Sequence, residues 1–360
     1  MLSVQRMVRP CRLVPTFINP AHVSARTPCS GRSFWKESEV SFLNQLLHPL
    51  IERASALVHR HVSDETLAHA HEIGARLTSL AQIAPQARSH FIDPAVSSAI
   101  DSLPNELNEF GFDPWGFSPE QAKFYYTLSR PVYDYFRPEI HGIENVPAGR
   151  VLIVPNHSGQ FPFDGVVIAV ACLLQAKPPR LVRAMAERWV STLPFINEMF
   201  ARSGVVLGDP INCRNLLEAD QAILVFPEGA RGSGKTFWDR YKLRSFGRGF
   251  MRLALQTGAP IVPVAVIGAE ESIISVYDWQ AAAKILRVPY APIHPLLPIL
   301  GPLAYLPMPT KFRIYFGKPM YFNGPFDDED SVIQKKVDDV QNTVQQMIND
   351  GLAARRSVFF

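Results

Sequence analysis

The 360-residue sequence predicts an α/β protein: a mixed, largely parallel sheet covered by helices, with a helical region ahead of it. Two observations carry this. Between residues 139 and 316, short apolar runs alternate with helical segments, the order that lays parallel strands beneath helices on both faces. The run at 151–154 is apolar throughout, as a buried strand is. A hydrophobic content of 47% in a chain this long is enough for a large core.

The first 36 residues contain no Asp or Glu but carry Arg6, Arg9, Arg12, Arg26, Arg32 and Lys36, the composition of a basic disordered arm or an organellar targeting segment. From 38 to 61, Leu43, Leu46, Leu47, Leu50, Ala54, Leu57 and Val58 recur at helical spacing, so an amphipathic helix is expected. His61, Glu65 and His69 would align as metal ligands on a continuous helix. However, Ser63-Asp64-Glu65 reads as a new helix start that throws His61 off that face, so no metal site is assigned. Residues 105–116, with Gly111, Asp113-Pro114 and Gly116, read as a linker. Ser118-Pro119-Glu120-Gln121 then opens a helix with a capping serine, a first-turn proline and a glutamine at the capping-box position. Its aromatics, Phe124, Tyr125, Tyr126, Tyr133, Tyr135 and Phe136, with Arg130 and Arg137 among them, suit a membrane interface or packing on the helix's own domain. Pro131 should kink or end this helix.

Strands are expected at 139–142, 151–154, 180–183, 205–207, 223–226, 261–266 and 312–316. Between 288 and 310 the sole ionisable side chain with a charge to offer is His294, and prolines stand at 289, 292, 295, 298, 302, 307 and 309. No helix should survive that density. The segment is too proline-rich to span a bilayer but apolar enough to cover an acyl chain, dip into a headgroup layer or form a buried connection. Residues 327–354 place acids first and Arg355-Arg356 after the last turn, as a terminal helix should. The expected organisation is a 1–36 arm, a helical region over 37–137, an α/β domain over 138–325 and a C-terminal helix over 326–360.

Chemistry concentrates at strand exits, where open α/β sheets bind ligands. After 151–154 comes Pro155-Asn156-His157-Ser158-Gly159-Gln160-Phe161-Pro162-Phe163-Asp164. A histidine oriented by an aspartate is a general base for an alcohol. On one continuous helix, positions seven apart lie roughly 10 Å from each other, beyond hydrogen-bond reach. A loop through Gly159 with a helix start near Phe161 to Phe163 would fold His157 back to Asp164. The second exit carries Pro227-Glu228-Gly229-Ala230-Arg231-Gly232 after the strand at 223–226. Gly204-Val205-Val206-Leu207-Gly208-Asp209 and the Pro263-containing run at 259–266 complete an ordered set.

On these four motifs, over roughly residues 138 to 320, the chain resembles the glycerolipid acyltransferases, the family of lysophosphatidate and glycerol-3-phosphate acyltransferases. The resemblance implies that His157 deprotonates the acceptor hydroxyl, Asp164 orients its imidazole, and attack on the acyl thioester is direct. It also implies substrate binding by Glu228, Gly229, Arg231 and Pro263, and Asn156 beside the histidine and Lys235 after the glycines are further candidate substrate-binding residues. No Gly-x-Ser-x-Gly elbow suggests a covalent serine intermediate. Three departures stand out. His157 and Asp164 are further apart than is usual in the family. Pro210 occupies the place after Asp209 where an arginine normally meets the acceptor phosphate, leaving Arg214 or Arg202 as substitutes and room for a neutral glyceride. Ala230-Arg231-Gly232 replaces the usual Thr-Arg-Ser.

Gly229 to Thr236 also fits the phosphate-loop pattern G-x-x-x-x-G-K-[ST], the alternative of a kinase or NTPase, without a helical continuation or a strand ending in a magnesium-binding Asp. From Arg231 to Arg252, seven basic residues (Arg231, Lys235, Arg240, Lys242, Arg244, Arg248, Arg252) face one acid, Asp239, and should attract coenzyme phosphates, an acidic carrier protein or anionic headgroups. The net charge of +3, with no nucleic-acid motif, argues against nucleic-acid binding. Cys11, Cys29, Cys172 and Cys213 show no paired spacing, which argues against a disulfide framework. No apolar stretch approaches the roughly 20 residues of a spanning helix. The reading is an O-acyltransferase that takes its acyl group from acyl-CoA or acyl carrier protein, with no cofactor. It would esterify a lysophospholipid or glycerol phosphate at a membrane surface, peripherally and on the cytoplasmic side. The alternatives are a mono- or diacylglycerol acyltransferase, the phosphate-loop kinase and an inert lipid-binding protein.

Overall fold

The computed structural model describes residues 91–360 apart from Asn105, Ser158, Leu193, Pro194 and Arg287. The basic arm, the helix expected at 38–61 and the His61, Glu65, His69 set lie outside the described residues. The strands are β1 (Glu139–His141), β2 (Val151–Pro155), β3 (Val182–Ala186), β4 (Val206–Leu207), β5 (Ala222–Leu224), β6 (Ile261–Ile267), β7 (Tyr277–Asp278), β8 (Pro292–Ile293) and β9 (Arg313–Phe316). The helices are α1 (Pro94–Asp101), α2 (Pro119–Phe136), α3 (Phe163–Gln175), α4 (Ile196–Arg202), α5 (Pro210–Glu218), α6 (Ala230–Ser233), α7 (Gly249–Thr257), α8 (Gln280–Leu286), α9 (Leu297–Leu300) and α10 (Asp330–Ala354).

Seven strands form one sheet in the order β1-β9-β6-β2-β5-β3-β4, with β7 and β8 paired apart from it. β2 lies at its centre and pairs in parallel with β5, Leu152 opposite Ile223, and with β6, Val154 opposite Pro263. The one antiparallel pairing in this sheet is β6 with β9, so the sheet is mixed and largely parallel. Successive side chains of a strand point to opposite faces. Accordingly Val151 and Ile153 join a core with α1, α2 and α3, through Ile100, Phe136 and Leu173, whereas Leu152 and Val154 join one with α5, α7 and α10, through Leu216, Met251 and Val340. Every residue of β2 and β6 is buried, which is why those runs read as apolar throughout.

Helices α1, α2 and α10 share these cores with the sheet, so the breaks expected at 137/138 and 325/326 are not packing boundaries. Several local expectations change. The third strand is displaced from 180–183 to Val182–Ala186. Helix α2 runs through Pro131 to Phe136, because that proline is exposed and solvent can take the carbonyl its missing N–H leaves unpaired. Ser118 makes no side-chain cap; its own N–H donates to the Arg202 carbonyl at 3.2 Å. The 105–116 segment is anchored rather than a passing linker. Asp113 is buried, accepts from the N–H groups of Trp115 and Phe117 at 2.9 and 2.8 Å, and pairs with the buried Arg183. Between 288 and 310 a one-turn helix, α9, does form, with Pro298 in its first turn, where a missing N–H costs nothing.

Candidate active site

At the end of β2, Asn156 carries the sheet's hydrogen bonding one residue further. Its buried amide oxygen accepts from Val266 N–H at 2.7 Å and its Nδ2 donates to the Val266 carbonyl at 3.0 Å. This side chain, expected at the substrate, bonds the β6 backbone. The chain then folds back through Gly159, at φ +79°, where an added Cβ would lie 3.1 Å from the Ala269 carbonyl. Helix α3 starts at Phe163, so Asp164 stands in its first turn. His157 Nδ1 is 2.8 Å from Asp164 Oδ2, and the wholly buried Asp164 also accepts from Gly165 N–H at 2.7 Å. The imidazole lies along the Phe226 ring, with centroids 4.1 Å apart. An Nδ1–H donated to Asp164 leaves the Nε2 lone pair to take a proton.

Glu228 holds this histidine from behind. Its Oε1 accepts from His157 N–H at 2.9 Å and its Oε2 from Arg244 N–H at 2.7 Å. Lys235 Nζ lies 3.3 Å from Glu228 and 3.0 Å from Glu270 Oε1, and Glu270 Oε2 accepts from Tyr241 N–H at 2.8 Å. Burial pushes the Glu270 carboxyl up to about 7, against the pull of the Lys235 ammonium. Glu228 and Lys235, both expected at the substrate, pair with each other in the interior, where an unpaired charge is costly. With Lys235 consumed and only the four-residue α6 following, the phosphate loop is not formed. Pro263 is likewise internal, opposite Val154 in the sheet, its carbonyl accepting from Gly317 N–H at 2.8 Å. Gly229 does stand at the exit of β5, at φ +58°, and the neighbouring Ala230 N–H donates to Glu187 Oε1 at 2.8 Å. Gly232 closes the loop against the histidine, since a Cβ there would meet His157 Cβ at 2.9 Å and Glu228 Cβ at 2.7 Å.

Arg231 is exposed and hydrogen-bonds Ser245 through its Oγ at 3.3 Å and its carbonyl at 3.1 Å. The basic run is less available than its composition suggests. Arg244 pairs with Asp239, Arg248 and Arg252 with Asp330, and Arg240 lies over the Phe237 ring. The substitutes for the missing arginine are also engaged: Arg202 with Glu198, the Gly116 carbonyl and the Phe112 ring, Arg214 with Glu218. Asp209 and Pro210 have a local purpose, as Asp209 caps α5 by accepting from Ile211 N–H at 2.9 Å with the proline in the first turn. Sequence reasoning missed Glu187 and Glu270. Both follow strand ends, and placing β3 two residues later would have drawn attention to Glu187 by the same logic that found His157.

Residues 137–267 match the Acyltransferase family model. The chain is 34% identical to an uncharacterised protein of Mycobacterium tuberculosis across 97% of each chain. It is 24% identical to a mouse protein described as a DGAT1/2-independent enzyme synthesizing storage lipids, over 59% of each chain. A 1-acyl-sn-glycerol-3-phosphate acyltransferase of Borreliella burgdorferi is also 24% identical, over 45% of this chain and 62% of that one. The chain belongs to the glycerolipid acyltransferase family and is an acyltransferase.

Proposed function

We propose that the protein transfers a fatty acyl group from a thioester, acyl-CoA or acyl carrier protein, to a glycerolipid hydroxyl at a membrane surface. One observation carries the reading: the pairing of His157 with the buried Asp164 at the exit of the central strand. His157 Nε2 takes the hydroxyl proton as the oxygen attacks the thioester carbonyl. The carbon–sulfur bond then breaks, and the proton passes to the departing thiolate. Asp164 stabilises the imidazolium formed between these steps. Glu228 fixes the backbone that carries the histidine.

The two relatives' descriptions point to different acceptors, storage lipids in one and an acylglycerol phosphate in the other. Membrane association is supported by the 288–310 segment, where Ile299, Leu303 and Leu306 are 64–78% exposed. Among the described residues no helix is long and apolar enough to cross a membrane. The test is incubation of the purified protein with long-chain acyl-CoA or acyl carrier protein and a panel of lysolipids and glycerides. Ester product together with acceptor-dependent thiol release is expected, and both should be lost in His157→Ala. Ester formation that survives this substitution would reject the mechanism.

A further inference from the structure

A pocket of about 350 Å³ opens where β3 and β4 end, at the same sheet edge as His157. Its wall is apolar: Trp115, Val190, Phe200, Val205, Val206 and Leu207. The polar groups lining it are Glu187, Asn197 and Asn212, with no Lys or Arg among the described residues. Glu187 also ties the pocket to the candidate catalytic loop. Its carboxylate accepts from Ala230 N–H at 2.8 Å, and the turn that begins there brings Gly232 against His157. One carboxylate thus touches both the pocket and the turn that packs on the histidine.

Part of its wall is the 204–209 motif, which the resemblance associates with an acceptor phosphate. Pro210 follows that motif, spent on starting α5. A phosphate in this pocket would meet the Glu187 carboxylate and apolar side chains instead of a cation, and like charges repel. Of the cations around it, Lys235 is buried between two glutamates, Arg202 and Arg214 pair with acids on their own helices, and Arg231 is exposed, hydrogen-bonded to Ser245 and not part of the lining. Arg188, next to Glu187 in the chain, is exposed, already engaged in an interaction and not part of the lining.

We propose that the acceptor is an uncharged lipid alcohol, such as a partial glyceride, whose apolar body occupies this pocket with its hydroxyl at His157. This rests on the acyltransferase reading and narrows its substrate class. Apolar walls reward hydrocarbon, while Glu187 disfavours an anionic headgroup.

The experiment compares 1-monooleoylglycerol with oleoyl-lysophosphatidate as acceptors of oleoyl-CoA, both presented in phosphatidylcholine vesicles. The expected kcat/KM is at least tenfold higher for the neutral lipid; preference for the lysophosphatidate overturns the proposal. Ala201→Trp, which fills the pocket, should raise the KM for monooleoylglycerol at least tenfold and that for oleoyl-CoA less than threefold. The opposite split would mean that the pocket holds the donor's acyl chain, and would also overturn it. Glu187→Gln guards against misfolding as an explanation, because it should improve lysophosphatidate relative to monooleoylglycerol by at least threefold, a gain that misfolding does not produce. Should neither lipid be acylated, the acyltransferase reading fails instead. Thermal unfolding of His157→Ala with each lipid then still decides the pocket: stabilisation by the neutral lipid alone supports it, and stabilisation by lysophosphatidate alone overturns it.

Discussion

His157 is held from three sides, by Asp164 at its ring, Phe226 beneath it and Glu228 at its backbone. His157→Ala should therefore cut turnover by at least about a hundredfold with the fold intact, read as kcat alongside the circular dichroism spectrum. Asp164→Asn should cost about two to four orders of magnitude, because the amide cannot stabilise the imidazolium; an unaltered rate would show that the pair is not used. Gly232→Ala tests the close approach, and its Cβ should displace the histidine and lower kcat sharply. Glu270 gives a pH signature. Its carboxyl titrates near 7 folded against an ordinary value of 4.5, facing Glu228, Lys235 and the Tyr241 N–H. As pH rises from 4.5 to 7 the unfolded chain loses this proton first, so this group's contribution to stability falls across that window and stays low above it. Urea denaturation should show the stability of the wild type relative to Glu270→Gln falling by on the order of 1–3 kcal/mol between pH 5 and pH 8. A pH-independent difference would contradict the raised value.

At the scale of elements, two segments that look like irregular connections do specific things. The 105–116 segment anchors to β3 through Asp113 and Arg183, and residues 288–310 reach the loop after His157, where the Tyr290 hydroxyl donates to the Gln160 carbonyl at 3.0 Å. The second segment also carries exposed Leu303 and Leu306, side chains suited to lipid contact. A Leu303→Asp, Leu306→Asp double variant should sediment with phosphatidylcholine vesicles several-fold less than wild type while retaining its melting temperature. Equal sedimentation would remove this segment from the membrane reading.

For the whole molecule, the sheet is closed on both faces, so distant parts of the chain stabilise one site. Replacing Asp113 with Ala leaves the Arg183 guanidinium buried without its carboxylate and should cost about 3–5 kcal/mol in chemical denaturation. Ile348, fully buried on α10 against the sheet face opposite α3, should cost about 2–5 kcal/mol as Ile348→Ala. A change below about 1 kcal/mol in either would show that these contacts are peripheral to the fold's stability.

The sequence by itself determined the α/β class, the order of the strands along the chain, the exit of His157 from an apolar strand and the helix start that carries Asp164. These are local: hydrophobic periodicity and turn chemistry act over a few residues, and Gly159 and Pro162 punctuate the loop on their own. Only the tertiary structure decided which polar groups face the site. Glu228 and Lys235 sit in motif positions, yet they are buried because Glu270, from beyond β6, completes their charge cluster. Asn156 and Pro263 are likewise claimed by the sheet, and Arg248 and Arg252 of the basic run by Asp330, far along the chain. Composition counts charges but cannot say which are already paired. Pairing depends on strand order and on helices brought together across more than a hundred residues, information that no local window contains.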